Sequence, residues 1–89
     1  MERELNISKG IVKIYIETKL EFEGEYLNGE KHGRGKEYDN DYGNLKYEGE
    51  YLNGVRNGKG KEYHENGNLI FEGEYLNGER NGKGKEYNK

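Results

Sequence analysis

Paired glutamates are the first residues whose spacing could do chemistry. They are Glu23 and Glu25, Glu48 and Glu50, and Glu72 and Glu74. Two neighbouring carboxylates could divide the roles of general acid and general base. An active site normally occurs once in a chain, however, and this pair occurs three times in the same local sequence. We therefore interpret the pairs as the solvated face of a repeated strand, and we expect no catalytic residue.

Histidines and Gly-x-Gly segments could hold a metal ion or a phosphate. His32 and His64 occupy different positions in the surrounding pattern, and there is no cysteine to complete a zinc site. The Gly-x-Gly segments at residues 33–35, 58–60 and 82–84 are not followed by the helix start that a phosphate-binding loop needs. We therefore predict no metal site and no cofactor, and we interpret both histidines as exposed turn residues.

Basic residues form a further candidate site, for anionic lipid. They are Lys31, Arg34, Lys36, Arg56, Lys59, Lys61, Arg80, Lys83 and Lys85. Each basic side chain near an anionic membrane surface adds about 1 kcal/mol to binding. Pairing with glutamates on neighbouring strands would explain the same pattern without a ligand. The net charge of −3 opposes the lipid hypothesis unless the two signs lie on opposite faces of a sheet, and we expect no nucleic-acid binding.

Aromatic residues are the candidate contacts for a protein partner. They are Phe22, Tyr26, Tyr47, Tyr51, Phe71 and Tyr75, and they alternate with charged residues. This alternation places them on one face of extended strands. Part of that face should pack between hairpins. We predict that the remainder forms a groove for an extended or helical peptide, because tyrosine suits interfaces.

The elements that position all these residues are repeated. FEGEYLNGEKHGRGKEY begins at Phe22, YEGEYLNGVRNGKGKEY at Tyr47 and FEGEYLNGERNGKGKEY at Phe71, so the period is 25 and then 24 residues. In the first copy we predict one strand over residues 22–26, an Asn-Gly turn, and a second strand over residues 34–38. The sequence thus predicts an all-β, single-layer antiparallel meander of about seven strands. Gly24, Gly49 and Gly73 would be structural glycines that leave space for aromatic rings.

The residues before the first repeat are predicted to cap it. Gly10 lies twelve residues before Phe22, as Gly35 does before Tyr47, so we interpret residues 10–21 as a degenerate half-repeat with a strand over residues 11–16. Residues 1–9 should form a flexible lead or a short helix. The resulting divisions are 1–21 for the lead and cap, and 22–46, 47–70 and 71–89 for the three repeats.

Composition restricts the setting of the protein. The chain has 89 residues, which leaves no room for a separate catalytic domain, and the absence of cysteine fits a cytoplasmic location. Its apolar stretches are far shorter than the roughly 20 residues of a membrane-spanning helix. Open strands at the two ends of a meander would allow homo-oligomer formation.

The repeat unit resembles the MORN (membrane occupation and recognition nexus) repeat. That repeat has an aromatic-Glu-Gly-Glu-aromatic strand, an Asn-Gly turn, a Gly-x-Gly segment and a closing aromatic, and all three copies carry this order. The usual tryptophan is replaced by Tyr26, Tyr51 and Tyr75. The long spacers resemble those of variant MORN-like repeats in many bacterial proteins, some of which are labelled antitoxin components.

This resemblance implies an elongated, curved sheet that serves scaffolding and protein contact. Several members of the family lie near membranes, with proposed binding of phosphoinositides, so the resemblance also implies proximity to a membrane. Three functions therefore stay open. The first, which we favour, is a noncatalytic scaffold or adaptor for a protein partner. The others are peripheral binding to anionic lipids, which would place the protein at a membrane surface, and neutralisation of a partner toxin.

Overall fold

A computed structural model describes residues 9–87, which form one open sheet. Its strands are β1 (Lys9–Ile16), β2 (Lys19–Leu27), β3 (Glu30–Tyr38), β4 (Leu45–Leu52), β5 (Val55–Tyr63), β6 (Leu69–Leu76) and β7 (Glu79–Glu86). Each strand pairs antiparallel with the next in sequence order. The sheet measures 47 × 26 × 15 Å, and the described residues contain no helix. The predicted all-β meander is confirmed.

Two-residue Asn-Gly turns join the strands within each repeat. Asn53 has φ of 52° and Gly54 has φ of 87°. Positive φ at both central positions is typical of the type I′ turn, whose twist matches that of the flanking strands. Because the turn takes only two residues, the return strand of the first copy begins at Glu30. The predicted start at Arg34 was too late.

A bulge interrupts every return strand. In the first repeat Gly24 pairs with Gly35 and Tyr26 pairs with Lys31, so three residues of β3 face Glu25 alone. The carboxylate of Glu25 accepts a hydrogen bond from the backbone amide of Arg34 at 3.4 Å. In the second repeat, Glu50 accepts the equivalent bond from Lys59 at 2.9 Å, beside Gly58 with φ of 100°. Glu25 and Glu50, the second glutamates of the first two pairs, therefore each support a bulge.

The core lies on one face of the sheet. Phe22, Tyr47, Tyr51, Phe71 and Tyr75 are at most 4% exposed. These rings fit because the glycines beneath them have no side chain: a Cβ on Gly35 would lie 2.7 Å from a ring carbon of Phe22. At Gly24, Gly49 and Gly73, an added Cβ would also meet a ring and the backbone of the next strand. A single sheet thereby forms a core without a second layer.

β1 pairs with β2 two residues away from the register that the predicted equivalence of Gly10 and Gly35 requires. Gly10 lies opposite Tyr26, the place that Gly33 takes opposite Tyr51. The alignment of Gly10 with Gly35 was wrong because the β1–β2 turn is shorter than the β3–β4 loop. As a result Ile14 takes the place of Glu37. Of the lead predicted over residues 1–9, only Lys9 is described, and it begins β1; the others lie outside the described residues.

Candidate functional site

The predicted partner-binding aromatics form one continuous ladder of rings. Their order across the sheet is Tyr26, Phe22, Tyr51, Tyr47, Tyr75 and Phe71, with neighbouring centroids 5.1 to 6.0 Å apart and the rings edge to face. Such pairs add about 0.5–1.5 kcal/mol each beyond the burial of their area. Five of the six rings are buried, and Tyr26 is partly buried. Partner contact by these rings stays a prediction, and burial leaves little of their surface for it.

A basic side chain lies over the ring ladder in each repeat. The Lys31 ammonium is 4.5 Å from the centroid of Phe22, and the Arg56 guanidinium is 4.2 Å from that of Tyr47. Arg80 lies 4.3 Å from the centroid of Phe71. Cation–π attraction contributes about 0.5–2 kcal/mol at each such site. Three of the nine candidate lipid-binding residues therefore cover the core.

Glutamates of one repeat bind the tyrosine and arginine of the next. Glu37 accepts hydrogen bonds from the Tyr51 hydroxyl and from two nitrogens of Arg56, at 2.8 and 3.1 Å. In the next copy, Glu62 accepts hydrogen bonds from the Tyr75 hydroxyl and from one nitrogen of Arg80, the latter at 2.7 Å. We call each set a Glu-Tyr-Arg cluster. Sequence reasoning missed both clusters, although each glutamate stands in a repeated GKEY segment.

The clusters shift the pKa values of their members. Burial alone would raise the pKa of Glu37, but the hydrogen bonds from Arg56 and Tyr51 outweigh it and hold this pKa below its usual value. Glu62 behaves in the same way. Burial, together with the bond to Glu37, raises the pKa of Tyr51. Burial raises the pKa of Tyr47 to about 12. At neutral pH each cluster is therefore a carboxylate held by a neutral phenol and a guanidinium.

The opposite face carries interleaved charges. Lys36 lies between Glu23 and Glu48, and Lys61 lies between Glu48 and Glu72. Six of the nine candidate lipid-binding residues share this face with the glutamates: Arg34, Lys36, Lys59, Lys61, Lys83 and Lys85. The two signs therefore lie on the same face, and the described part of the sheet has no uninterrupted basic stripe.

A groove crosses this charged face. Its main part, of about 470 Å³, runs from β3 to β7 over the backbone of Gly49, Gly60 and Gly73. Its walls are charged side chains: Arg34, Glu48, Lys59, Lys61, Glu72, Glu74 and Lys83. A second part, of about 270 Å³, shares Arg34 and Glu48 and reaches Ile11 on β1. We call both parts together the charged groove. The floor is bare backbone, because side chains at these glycine positions would point to the ring face.

The two histidines lie in different parts of the sheet. His32 lies within β3 at the bulge and is partly buried, so its assignment to an exposed turn was wrong. The Nδ1 of His64 accepts a hydrogen bond from the amide of Asn66 in the spacer turn.

Residues 9–87 contain no cluster of three potential metal ligands. Over the same range no helix is long and apolar enough to cross a membrane.

The fold and the repeated contacts define a repeat protein built from β-hairpins. The model of the MORN repeat family matches the chain at residues 22–43, 47–69 and 71–88. The chain belongs to the MORN repeat family. Members of this family are non-enzymatic repeat modules generally linked to protein or membrane interaction. No curated protein and no solved structure matches the chain.

Proposed function

We propose that this chain is a noncatalytic scaffold that binds a partner protein through the charged groove. The observation that carries the proposal is the groove itself, an open trough with a glycine floor and charged walls of both signs. By contrast, the residues that could do chemistry hold the sheet together. Glu25 and Glu50 support bulges, glutamates of all three pairs face lysines or arginine across the strands, and the aromatic rings form the core.

Walls of both signs favour a protein partner. A polypeptide can present acidic and basic side chains in register with the rows of Lys61, Glu72 and Lys83, and such complementarity gives specificity. The ring face offers less to a partner. Contact there would be limited to Tyr26 and to the basic side chains that lie over the buried rings.

Peripheral binding to anionic lipids, the alternative, has weaker support. A lipid surface attracts basic residues and repels the glutamates that stand between them. Lys36 and Lys61 each lie between two glutamates, and Arg56 is held by Glu37. No contact among the described residues favours toxin neutralisation in particular.

A charge reversal in the groove tests the proposal. Proteins captured by the tagged chain would be identified by mass spectrometry, purified, and titrated against Lys61→Glu and Lys46→Glu by calorimetry. Lys46 is exposed on β4 outside the groove, so both variants change the net charge equally. We expect Lys61→Glu to weaken binding by roughly tenfold or more, as for a charge pair within an interface, and Lys46→Glu to have no effect. Equal effects would contradict the groove as the binding surface.

A further inference from the structure

β7 has the same place in the third repeat as β3 and β5 have in the first and second, but in the described part of the sheet its outer edge is open. β3 is covered by β4, and β5 is covered by β6. β7 has the sequence ERNGKGKE, which repeats VRNGKGKE of β5. Among residues 9–87, none lies against its outer side. Gly35 and Gly60 are buried in β3 and β5, whereas every residue of β7 is exposed.

The two covered edges show what such a strand accepts. Both β4 and β6 bring the pattern aromatic-Glu-Gly-Glu-Tyr. The central glycine lies opposite Gly35 or Gly60, and the first glutamate lies opposite Lys36 or Lys61. The tyrosine lies opposite Gly33 or Gly58, and its hydroxyl donates to Glu37 or Glu62. The equivalent positions in β7 are Gly82, Gly84, Lys85 and Glu86.

Glu86 lacks the partners that its counterparts have. Glu37 and Glu62 are 18% and 23% exposed, each beneath a tyrosine and an arginine of the following repeat. Glu86 is 74% exposed, and its contact with Arg80 is 3.4 Å long. The third Glu-Tyr-Arg cluster therefore has its glutamate in place, without a tyrosine or arginine from a following strand.

The ring ladder is also incomplete beside β7. Phe22 and Tyr47 each contact one tyrosine on either side. Phe71 contacts Tyr75 alone among the described rings. A tyrosine paired with Gly82 would fill the place that Tyr51 and Tyr75 take beside Phe22 and Tyr47.

We infer that β7 accepts an extended segment of a partner protein with the pattern aromatic-Glu-Gly-Glu-Tyr, followed by a turn and an arginine. Binding would occur by addition of a strand to the sheet edge, with backbone hydrogen bonds for affinity and side-chain places for specificity. The inference rests on the proposed scaffold function and names the kind of partner. It uses the sheet edge, which is separate from the floor of the charged groove.

The edge strands of a second copy do not have this chemistry. Two β7 strands placed side by side would bring Lys83 and Lys85 against the same lysines. If the β1 edge of a second copy paired with β7, its residues on the charged face would be Ile11 and Lys13. Neither could pair with the lysines of β7 as a glutamate does. Like charges placed opposite one another destabilise strand pairing. The acidic first strand of a repeat is the complement.

A peptide of the chain's own residues 69–80, LIFEGEYLNGER, is the probe. The fluorescently labelled peptide would be titrated into the full chain, beside a control peptide with Glu72→Lys and Glu74→Lys. We expect saturable binding, a large loss with the control peptide, and a roughly tenfold loss in the Glu86→Gln chain, as for a lost bond to a charged group. Glu65→Gln, an exposed spacer position, should bind as the wild type does. On binding, hydrogen exchange should slow at residues 82–86.

Several outcomes would overturn the inference. They are no binding, equal binding of both peptides, slowed exchange at β1 in place of β7, or a dimer of the free chain that already protects β7. The charged groove is judged separately. Lys61→Glu should leave peptide binding unchanged, so the edge hypothesis can fail while the groove proposal holds, and the reverse is also possible.

Discussion

The guanidinium of Arg56 donates two hydrogen bonds to the carboxylate of Glu37, which lies nineteen residues earlier and in the preceding repeat. The same guanidinium lies over the ring of Tyr47. One side chain therefore joins two repeats and covers the most deeply buried ring of the core. Stability in this sheet depends on contacts between neighbouring repeats, as it does in other repeat proteins.

Arg56→Lys should destabilise the protein. Lysine keeps the charge but cannot make the forked pair of bonds to Glu37, so we expect the free energy of unfolding to fall by about 1–3 kcal/mol. Arg80→Lys should cost less, because the Arg80 side chain is 37% exposed against 21% for Arg56. Urea denaturation measures both. Arg34→Lys is the control and should change stability by under about 0.5 kcal/mol. Equal losses in Arg56→Lys and Arg34→Lys would contradict the role given to the cluster.

Gly35→Ala should be more harmful than alanine at a turn glycine. The new methyl would lie 2.7 Å from a ring carbon of Phe22 and 3.0 Å from one of Tyr51, so a buried ring must move. Overpacking of this kind costs about 1–3 kcal/mol or more. Gly43→Ala is the comparison. Its methyl meets no atom within 4 Å, and only its φ of 76° opposes the change. A thermal midpoint for Gly35→Ala no lower than that for Gly43→Ala would contradict the claim that the packing of these rings requires glycine at position 35.

Acid should destabilise the protein through Glu37 and Glu62. Both have folded-state pKa values below the usual 4.5, so their stabilisation is complete above that pH. It is lost as the pH falls through their lower folded-state values, where protonation ends the charged bonds to arginine. The double variant Glu37→Gln and Glu62→Gln should be less stable at neutral pH and should lose less on acidification. Parallel curves of unfolding free energy against pH for the two proteins would contradict this assignment.

Alkali should destabilise the protein through its buried tyrosines. The pKa of Tyr47 is raised from 10.0 to about 12, because burial disfavours the phenolate. Stability from this residue is therefore complete below pH 10 and is lost as the pH rises towards 12. Absorbance titration should show a late group of phenols that ionises as the protein unfolds. The variant Tyr47→Phe should lack part of the later group. Simultaneous ionisation of all nine tyrosines would contradict the burial described.

The sequence predicted the meander because its strongest signals are local. Alternation around Phe22, Gly24 and Tyr26 marks a strand with one apolar face, and each Asn-Gly pair marks a reversal. Strand alternation also separates Lys31 from Arg34 and Lys36. The lipid hypothesis grouped these residues by their nearness in sequence and so overlooked that they lie on different faces.

Contacts between repeats could not be predicted from local pattern. The Glu-Tyr-Arg clusters depend on how far neighbouring hairpins are shifted along each other, and the bulges at Gly33 and Gly58 set that shift. The charged groove depends on the shape of the whole sheet. The equivalence of Gly10 and Gly35 failed for a related reason, because spacing along the chain does not give the length of the intervening turn.

The most direct test of the scaffold account is sedimentation of the purified chain with lipid vesicles. Anionic and neutral vesicles would be compared at low and at near-physiological salt. Because basic residues either cover the rings or stand among glutamates, we expect the chain to stay in the supernatant with both vesicles at both salt concentrations. Sedimentation with anionic vesicles that weakens as salt increases would contradict the account and would favour membrane binding.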